Sequence, residues 1–163
     1  VEPRAATVAE MLASPPLIVI VDGIQEPGNA GSILRTAEAF GATGVVFLKG
    51  SASPYNPKAV RASAGSVFRV AHLTGATAEA AAGWLAELPV YAAMPGGELM
   101  MSAADLKRGC AVVIGSEGQG VGTMMQSIAR GIRIPTRGVE SLNASVAAAI
   151  ILYEAQRQRG AQA

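Results

Sequence analysis

The chain has 163 residues, half of them hydrophobic, and a formal net charge of +1 at pH 7. This length fits one globular domain with a sizeable core, and the near-neutral charge lacks the basic excess of a module that holds nucleic acid by phosphate neutralisation alone, although it does not exclude RNA. The apolar runs are too short to cross a bilayer, which predicts an unexported, cytoplasmic protein, and one cysteine with one histidine makes a metal site improbable.

Residues 1 to 16 differ from the rest of the chain. A short amphipathic segment, Val8–Leu12, precedes Ser14-Pro-Pro16, and the two prolines disfavour a helix there. We therefore predict that residues 1–16 are a linker and that residues 17–163 form the domain. Because the chain starts with Val1 rather than Met, the linker is expected to follow a missing upstream domain; ordinary N-terminal processing is the alternative.

Short apolar, β-branched runs alternate with helical patterns along the rest of the chain. This alternation is typical of a parallel sheet covered by helices, so the predicted fold class is α/β with a mostly parallel sheet. The predicted strands are Leu17–Val21, Val45–Leu48, Val90–Ala93, Ala111–Ile114 and Ile132–Ile134. The predicted helices are Ala30–Phe40, Pro57–Ala64, Ala76–Glu87, Gly120–Ala129 and Leu142–Arg159.

The first polar turn follows the first predicted strand. It runs from Asp22 through a Gly/Pro loop into a helix, with Asn29 near the helix start and Arg35 within the next two turns. Helices that open at the carboxyl end of a parallel sheet face the usual ligand crevice of α/β folds. Arg35 is therefore either a ligand-facing cation or an ordinary surface residue.

A basic stretch comes next along the chain. Between Glu38 and Glu79 there is no acidic residue, and the cations are Lys49, Lys58, Arg61 and Arg69. Such a stretch is either a solvated face or a rim that meets phosphate.

The second turn, Val113–Gly122, is rich in glycine and contains Glu117. Closely spaced glycines let the backbone approach a ligand. A dinucleotide-binding loop would need its glycine pattern early in a βαβ unit, with an acid about twenty residues later. A phosphate-binding P-loop is excluded because no Gly-Lys-Ser/Thr sequence occurs.

The third turn crowds hydrogen-bonding side chains at the start of the last helix, in Ser141-Leu-Asn-Ala-Ser145. Helix starts carry unpaired backbone N–H groups, so this turn can cap the helix or bind a polar ligand. The segment Val146–Leu152 is apolar on nearly every side, which predicts a helix buried all round by the chain or by a partner subunit.

Together the three turns resemble the SpoU (TrmH-like) class of the SPOUT methyltransferases, which transfer a methyl group from S-adenosylmethionine to a ribose 2′-hydroxyl of RNA. The stretch Asn29–Thr36 is similar to the first motif of that class, and Ile114–Gly120 is similar to the second. The stretch from Ile134-Pro through Ser141–Val146 is similar to the third, and the order is that of the family. The resemblance covers about Leu17 to Arg159.

This resemblance implies a deep C-terminal trefoil knot, a homodimer and RNA as substrate, with ribosomal RNA favoured over transfer RNA. The implied catalytic residues are Asn29, Arg35, Glu117, Ser141 and Asn143. The implied S-adenosylmethionine pocket consists of Ala93, Met94, Pro95, Gly115, Glu117, Gly118, Ile134, Leu142 and Asn143. The implied RNA contacts are Arg35, Lys58 and Arg61.

Two other functions remain open on the sequence. One is a SPOUT methyltransferase that acts on a base, which would need base-reading groups. The other is a knotted module that binds RNA or the cofactor without catalysis. The first is less favoured because that class lacks the Asn29/Arg35 pair in this arrangement, and the second because all the motif residues are present.

Overall fold

In the computed structural model, residues 6–13 and 15–160 are described. They form one seven-stranded sheet in which every strand pair is parallel. The strands are β1 (Leu17–Asp22), β2 (Gly44–Leu48), β3 (His72–Ala76), β4 (Val90–Ala93), β5 (Leu99–Met100), β6 (Cys110–Gly115) and β7 (Arg130–Arg133). Their order across the sheet is β3-β2-β1-β6-β4-β7-β5.

Six α-helices occur in the described ranges, and they flank the sheet. They are α1 (Val8–Met11), α2 (Pro27–Ala39), α3 (Pro57–Ser63), α4 (Ala78–Trp84), α5 (Thr123–Ile128) and α6 (Ala144–Gln158). None of these helices is long and apolar enough to cross a membrane.

The core lies on both faces of the sheet because strand side chains alternate between the faces. In β1, Leu17, Val19 and Val21 pack in a cluster that also contains buried residues of α2 and α6. Ile18 and Ile20 point to the opposite cluster, which contains residues of α1, α4 and α5. A strand buried on both faces reads as a continuous apolar run, which is why this element was predicted correctly.

All five predicted strands are present, with ends that differ by at most two residues. Two strands were not predicted. β3 reads His-Leu-Thr-Gly-Ala, which lacks a β-branched apolar run, and β5 has only two residues. Both are edge strands, so each has only one neighbour to bury it.

The predicted helices are present, but their ends are set by capping groups that were misjudged. α2 begins earlier than expected because the Glu26 carboxylate accepts from the Gly28 N–H and caps the helix. α5 begins later because Gly120 has a positive φ of 69°, outside the helical region. α6 begins at Ala144 because Asn143 caps it.

The predicted linker includes α1, which packs on the domain. Met11 is buried in the second core cluster, and its carbonyl accepts a hydrogen bond of 2.7 Å from Thr43 Oγ1. Residues 1–5 and Ser14 of that segment lie outside the described residues. The division into a linker (1–16) and a catalytic domain (17–163) stays a prediction.

The described chain covers only one face of the last helix, so burial of its other face by a partner subunit stays a prediction. α6 buries one face against the core, with Ala148, Ile151 and Ala155. On its other face Val146 is 45% exposed and Tyr153 is 55% exposed. The sequence pattern could not separate burial by the chain from burial by a partner, because both select apolar residues.

The end of α6 holds a carboxylate whose titration should affect stability. Glu154 is buried and accepts from Arg157 at 2.7 and 2.8 Å and from Gln158 at 2.9 Å. Hydrogen bonding to Arg157, followed by that to Gln158, lowers the pKa of Glu154 to about 2. The folded pKa lies below the unfolded value, so this group stabilises the fold above pH ~4.3 and the contribution is lost as pH falls towards 2.

We therefore expect Glu154→Gln to cost about 2 kcal/mol of unfolding free energy at pH 7, a value reduced for the exposure of Arg157. The difference from the parent protein should shrink to near zero at pH 2. Urea unfolding at pH 7, 4 and 2.5 measures it. Glu79→Gln on α4 is the control, since Glu79 forms no ion pair with any described residue; an equal cost at every pH would contradict the assignment.

Candidate active site

The candidate site lies where β1 and β6 end and where α2 and α6 begin. β1 and β6 are neighbours in the sheet, so their carboxyl ends lie together. The turn after β1 leads into α2, and the turn after β6 contains Glu117. Parallel topology thus brings together two of the three polar turns, and the start of α6 completes the group.

Glu117 links the three turns by hydrogen bonds. Its Oε1 accepts from Asn143 Nδ2 at 2.9 Å and from the Ala144 N–H at 3.2 Å. The same oxygen accepts a weaker bond from Asn29 Nδ2 at 3.4 Å. Asn143 Nδ2 also donates to Asn29 Oδ1 at 3.2 Å. One side chain from each motif therefore meets the other two.

Asn143 also caps the start of α6, which explains its position. Its Oδ1 accepts from the backbone N–H groups of Ser145 at 2.9 Å and Val146 at 3.3 Å, and from Ser145 Oγ at 2.6 Å. This cap satisfies backbone donors at the start of α6 and leaves the Nδ2 group to face Glu117. The amide is held at both ends, so its orientation is defined.

A cavity of about 410 Å³ lies beside this cluster. All the predicted cofactor residues except Asn143 line it. The wall is mixed, with apolar side chains such as Met94, Ile134 and Leu142 and polar ones such as Ser116 and Glu117. Such a cavity suits a ligand of drug size that has both apolar and polar parts.

Several wall residues of this cavity were missed on the sequence. They are Ile114, Ser116, Gln119, Gly120, Ile132, Thr136, Glu140, Ala144 and Ala147. Most are neighbours of predicted residues in the same turns, so the turns themselves were the available signal. Thr136 lies within the third motif, two residues after Ile134, but the sequence pattern does not show how the chain after β7 folds back to bring it to the wall.

The glycine loop that forms one wall is packed tightly on itself. A Cβ atom at Gly115 would lie 2.3 Å from the Gly120 carbonyl carbon and 2.4 Å from the Val121 nitrogen. The loop is closed by a bond of 2.8 Å from the Gly120 N–H to the Ser116 carbonyl. Asp22 at the end of β1 supports it by accepting from the Gly122 N–H at 2.7 Å.

Of the two remaining predicted catalytic residues, the structure brings Ser141 to the cavity but not Arg35. Ser141 is exposed and lines the cavity, as predicted. Arg35 is exposed on α2 and lines neither this cavity nor the one next to it. It is six residues beyond Asn29, about 9 Å along the helix axis. One turn further, the Ala39 carbonyl accepts from Gln156 of α6 at 3.5 Å, so Arg35 lies close to α6.

The two other cations predicted to meet RNA differ in environment. Lys58 Nζ pairs with Glu26 Oε1 at 2.6 Å, and hydrogen bonding to Lys58 lowers the pKa of Glu26. Arg61 is exposed and forms no ion pair with the described residues. Arg69, also in the basic stretch, is paired with Glu38, which lowers the pKa of that carboxyl. Two of the four cations of the stretch are thus locally neutralised.

Comparison with known proteins agrees with this geometry. The family model described as the SpoU rRNA Methylase family matches residues 16–153. The chain belongs to the SpoU rRNA methylase family. The three turns that Glu117 joins are the three SpoU motifs suggested by the sequence, and the fold is the SPOUT α/β knot with its mostly parallel sheet.

Individual SpoU relatives cover nearly the whole chain. An uncharacterised tRNA/rRNA methyltransferase of Synechocystis is 38% identical over 93% of this chain and 41% of its own length. The 23S rRNA (guanosine-2′-O-)-methyltransferase RlmB of Coxiella burnetii is 35% identical over 92% of this chain and 62% of its own. The chain therefore spans about two fifths to three fifths of the length of these relatives.

Among solved structures, the SpoU methyltransferase AviRb from Streptomyces viridochromogenes, in complex with AdoMet, aligns with a TM-score of 0.89 and 30% identity. The match covers 96% of this chain and 66% of AviRb.

Proposed function

We propose that this domain transfers the methyl group of S-adenosylmethionine to a ribose 2′-hydroxyl of structured RNA, with ribosomal RNA favoured over transfer RNA. The observation that carries the proposal is the joining of Asn29 and Asn143 by Glu117 at the edge of the 410 Å³ cavity. RNA substrates of this kind place the protein in the cytoplasm. RlmB, a relative of similar sequence, is named for this reaction on 23S rRNA.

The cavity fits S-adenosylmethionine on its own properties. Apolar walls at Met94, Ile134 and Leu142 suit an adenine ring, and the exposed peptide groups of the glycine loop can pair with its polar edges. The charged residues in the wall are Glu117 and Glu140, both acidic, which suits a cationic ligand. When bound, S-adenosylmethionine supplies a methyl group already activated by its sulfonium.

The hydrogen-bond cluster has the right groups to position a ribose. An asparagine Nδ2 group has two N–H donors. Asn29 uses one on Glu117, so the other can hold a ribose oxygen, and Glu117 keeps the amide oriented. Ser141 supplies a hydroxyl at the cavity wall. Positioning accounts for most of the task, because the leaving group is already activated.

Arg35 is proposed to act as a cation rather than as a base. A guanidinium holds its proton tightly, so it accepts protons poorly. It is suited to binding the adjacent phosphate and to stabilising the developing alkoxide electrostatically. The ribose proton then leaves through water or through the phosphate.

The position of Arg35 supports a homodimer as the active form. α6 exposes Val146 and Tyr153, and Phe40 at the end of α2 packs edge-on against Tyr153 at 5.8 Å between ring centroids. An exposed apolar face of this kind is typical of a subunit interface. Arg35 lies close to that face, where a partner subunit can help to complete its site.

The first experiment is calorimetric titration of the chain with S-adenosylhomocysteine, with NAD and ATP as controls and light scattering for the mass. Specific binding by a dimer is expected. A folded protein that binds none of the three would overturn the proposed function. Binding by a monomer would overturn the proposed dimer alone.

The unequal pairing of Lys58 and Arg61 leads to a prediction about RNA binding. Arg61→Ala should weaken binding and lower the slope of log K against log[salt] by about 1, because an unpaired cation is lost. Lys58→Ala should change the slope less, because it also frees the Glu26 carboxylate. Filter binding of ribosomal RNA at several salt concentrations measures both. Lys107→Ala is the control, and an unchanged slope in Arg61→Ala would remove Arg61 from the interface.

A further inference from the structure

A second cavity of about 630 Å³ adjoins the cofactor cavity. Its outer wall is formed by the turn after β1, which contains Gln25, and by the turn after β2, which contains Lys49. The two turns are tied by a bond from the Gly23 N–H to Ser51 Oγ at 3.0 Å. Gln25 Nε2 also donates to the Gly50 carbonyl at 2.5 Å. These hydrogen bonds hold the two turns that form the outer wall of the cavity together.

The two cavities share one wall. Residues 116–119 of the glycine loop and Ala144 line both. Asn29 lines only the second cavity, and Glu117 lines both. A ligand in the second cavity is thus in reach of the Asn29 amide and lies next to the cofactor cavity.

Lys49 gives this cavity its charge preference. Of the charged groups in the wall, Glu26 is paired with Lys58, and Glu117 accepts hydrogen bonds from Asn143 and from Ala144. Lys49 is exposed and forms neither an ion pair nor a side-chain hydrogen bond with the residues that the structure describes. Glu117 keeps its negative charge on the wall shared with the cofactor cavity, whereas the Lys49 ammonium on the outer wall is the charged group left for an anionic ligand.

We propose that the second cavity receives the target ribonucleotide of the RNA, with a phosphate of that nucleotide on Lys49 and its ribose at Asn29. This inference rests on the proposed function. It adds to that function a binding site for the target nucleotide and a role for Lys49. A volume of this size accommodates one nucleotide. Lys49 is a positioning residue, and it acts on nucleotide binding rather than on the methyl group.

The test uses guanosine 5′-monophosphate as the probe and protein saturated with S-adenosylhomocysteine, which fills the first cavity. In ¹⁵N-resolved spectra at millimolar nucleotide, the amides of Gly23, Gln25 and Gly50 should shift, and guanosine should shift them less. Lys49→Ala should weaken the apparent affinity for the nucleotide about tenfold, as expected when one charge-assisted contact is lost.

Lys107→Ala is the matched control, because Lys107 is an exposed lysine that lines neither cavity. Both variants should keep the affinity for S-adenosylhomocysteine. Binding of S-adenosylhomocysteine without nucleotide shifts at these amides would overturn the second site and leave the proposed function standing. Equal nucleotide affinity in Lys49→Ala and the parent would overturn the role of Lys49, and failure to bind S-adenosylhomocysteine would overturn the proposed function itself.

Discussion

Replacing Arg35 by alanine is expected to lower the rate of methyl transfer by about a thousandfold, the effect of losing one electrostatic contact to a developing oxyanion. The affinity for S-adenosylhomocysteine should stay within a few fold, because Arg35 does not line the cofactor cavity. Transfer of a tritiated methyl group to ribosomal RNA gives the rate, and calorimetry gives the affinity.

Arg35→Lys separates the two roles proposed for this side chain. It keeps the positive charge but loses the planar fork of donors, so transfer should recover only in part. Arg108→Ala is the control and should keep full activity, because Arg108 is exposed and, among the described residues, pairs with Asp105 alone. Near-normal turnover in Arg35→Ala would exclude Arg35 from the chemistry.

The second large effect is expected at Gly115. An alanine there would place its Cβ atom against backbone atoms of Gly120 and Val121, which cannot move without displacing the loop. The loop is the wall shared by both cavities, so we expect the affinity for S-adenosylhomocysteine to fall by ~100-fold, or about 2.7 kcal/mol. The melting temperature should fall as well.

Gly118→Ala provides the matched control in the same loop. A Cβ atom at Gly118 has no neighbour within 4 Å, and its φ is not positive, so the fold should tolerate it. The added methyl lines the cofactor cavity and can lower affinity, but the melting temperature should be unchanged. If Gly115→Ala melts and binds like the parent, the close packing of the loop does not control the site.

The sequence predicted the centre of the fold better than its edges. β1 and β6 are buried on both faces and are recognisable as apolar runs, whereas β3 has one neighbour and contains Gly75. The three polar turns were recognised because residues adjacent in the chain form each of them. Their roles came from family resemblance, since no spacing connects Asn29 with Glu117 across 88 residues.

Pairing between distant surface residues was the part that could not be predicted. Lys58 was expected to face RNA, but the Glu26 carboxylate that caps α2 lies within 2.6 Å of it. The distribution of charges along the chain shows where the cations are. It does not show which acidic residue pairs with each of them in the folded protein. The exposure of one face of α6 could not be predicted for a similar reason. The hydrophobicity of a helix does not show which surface covers it.

Arg159, at the C-terminal end of α6, affects how the chain folds during its synthesis. Arg159 donates to the backbone carbonyls of Pro15, Pro16, Leu106 and Arg108 at 2.9 to 3.1 Å. Two of these acceptors precede it by more than 140 residues. During synthesis the chain emerges N-terminus first, so the bonds from Arg159 to the two carbonyls just before β1 form only after α6 has been translated. Nascent chains that stop before Arg159 should therefore hold β1 loosely and be more sensitive to proteases than the finished domain.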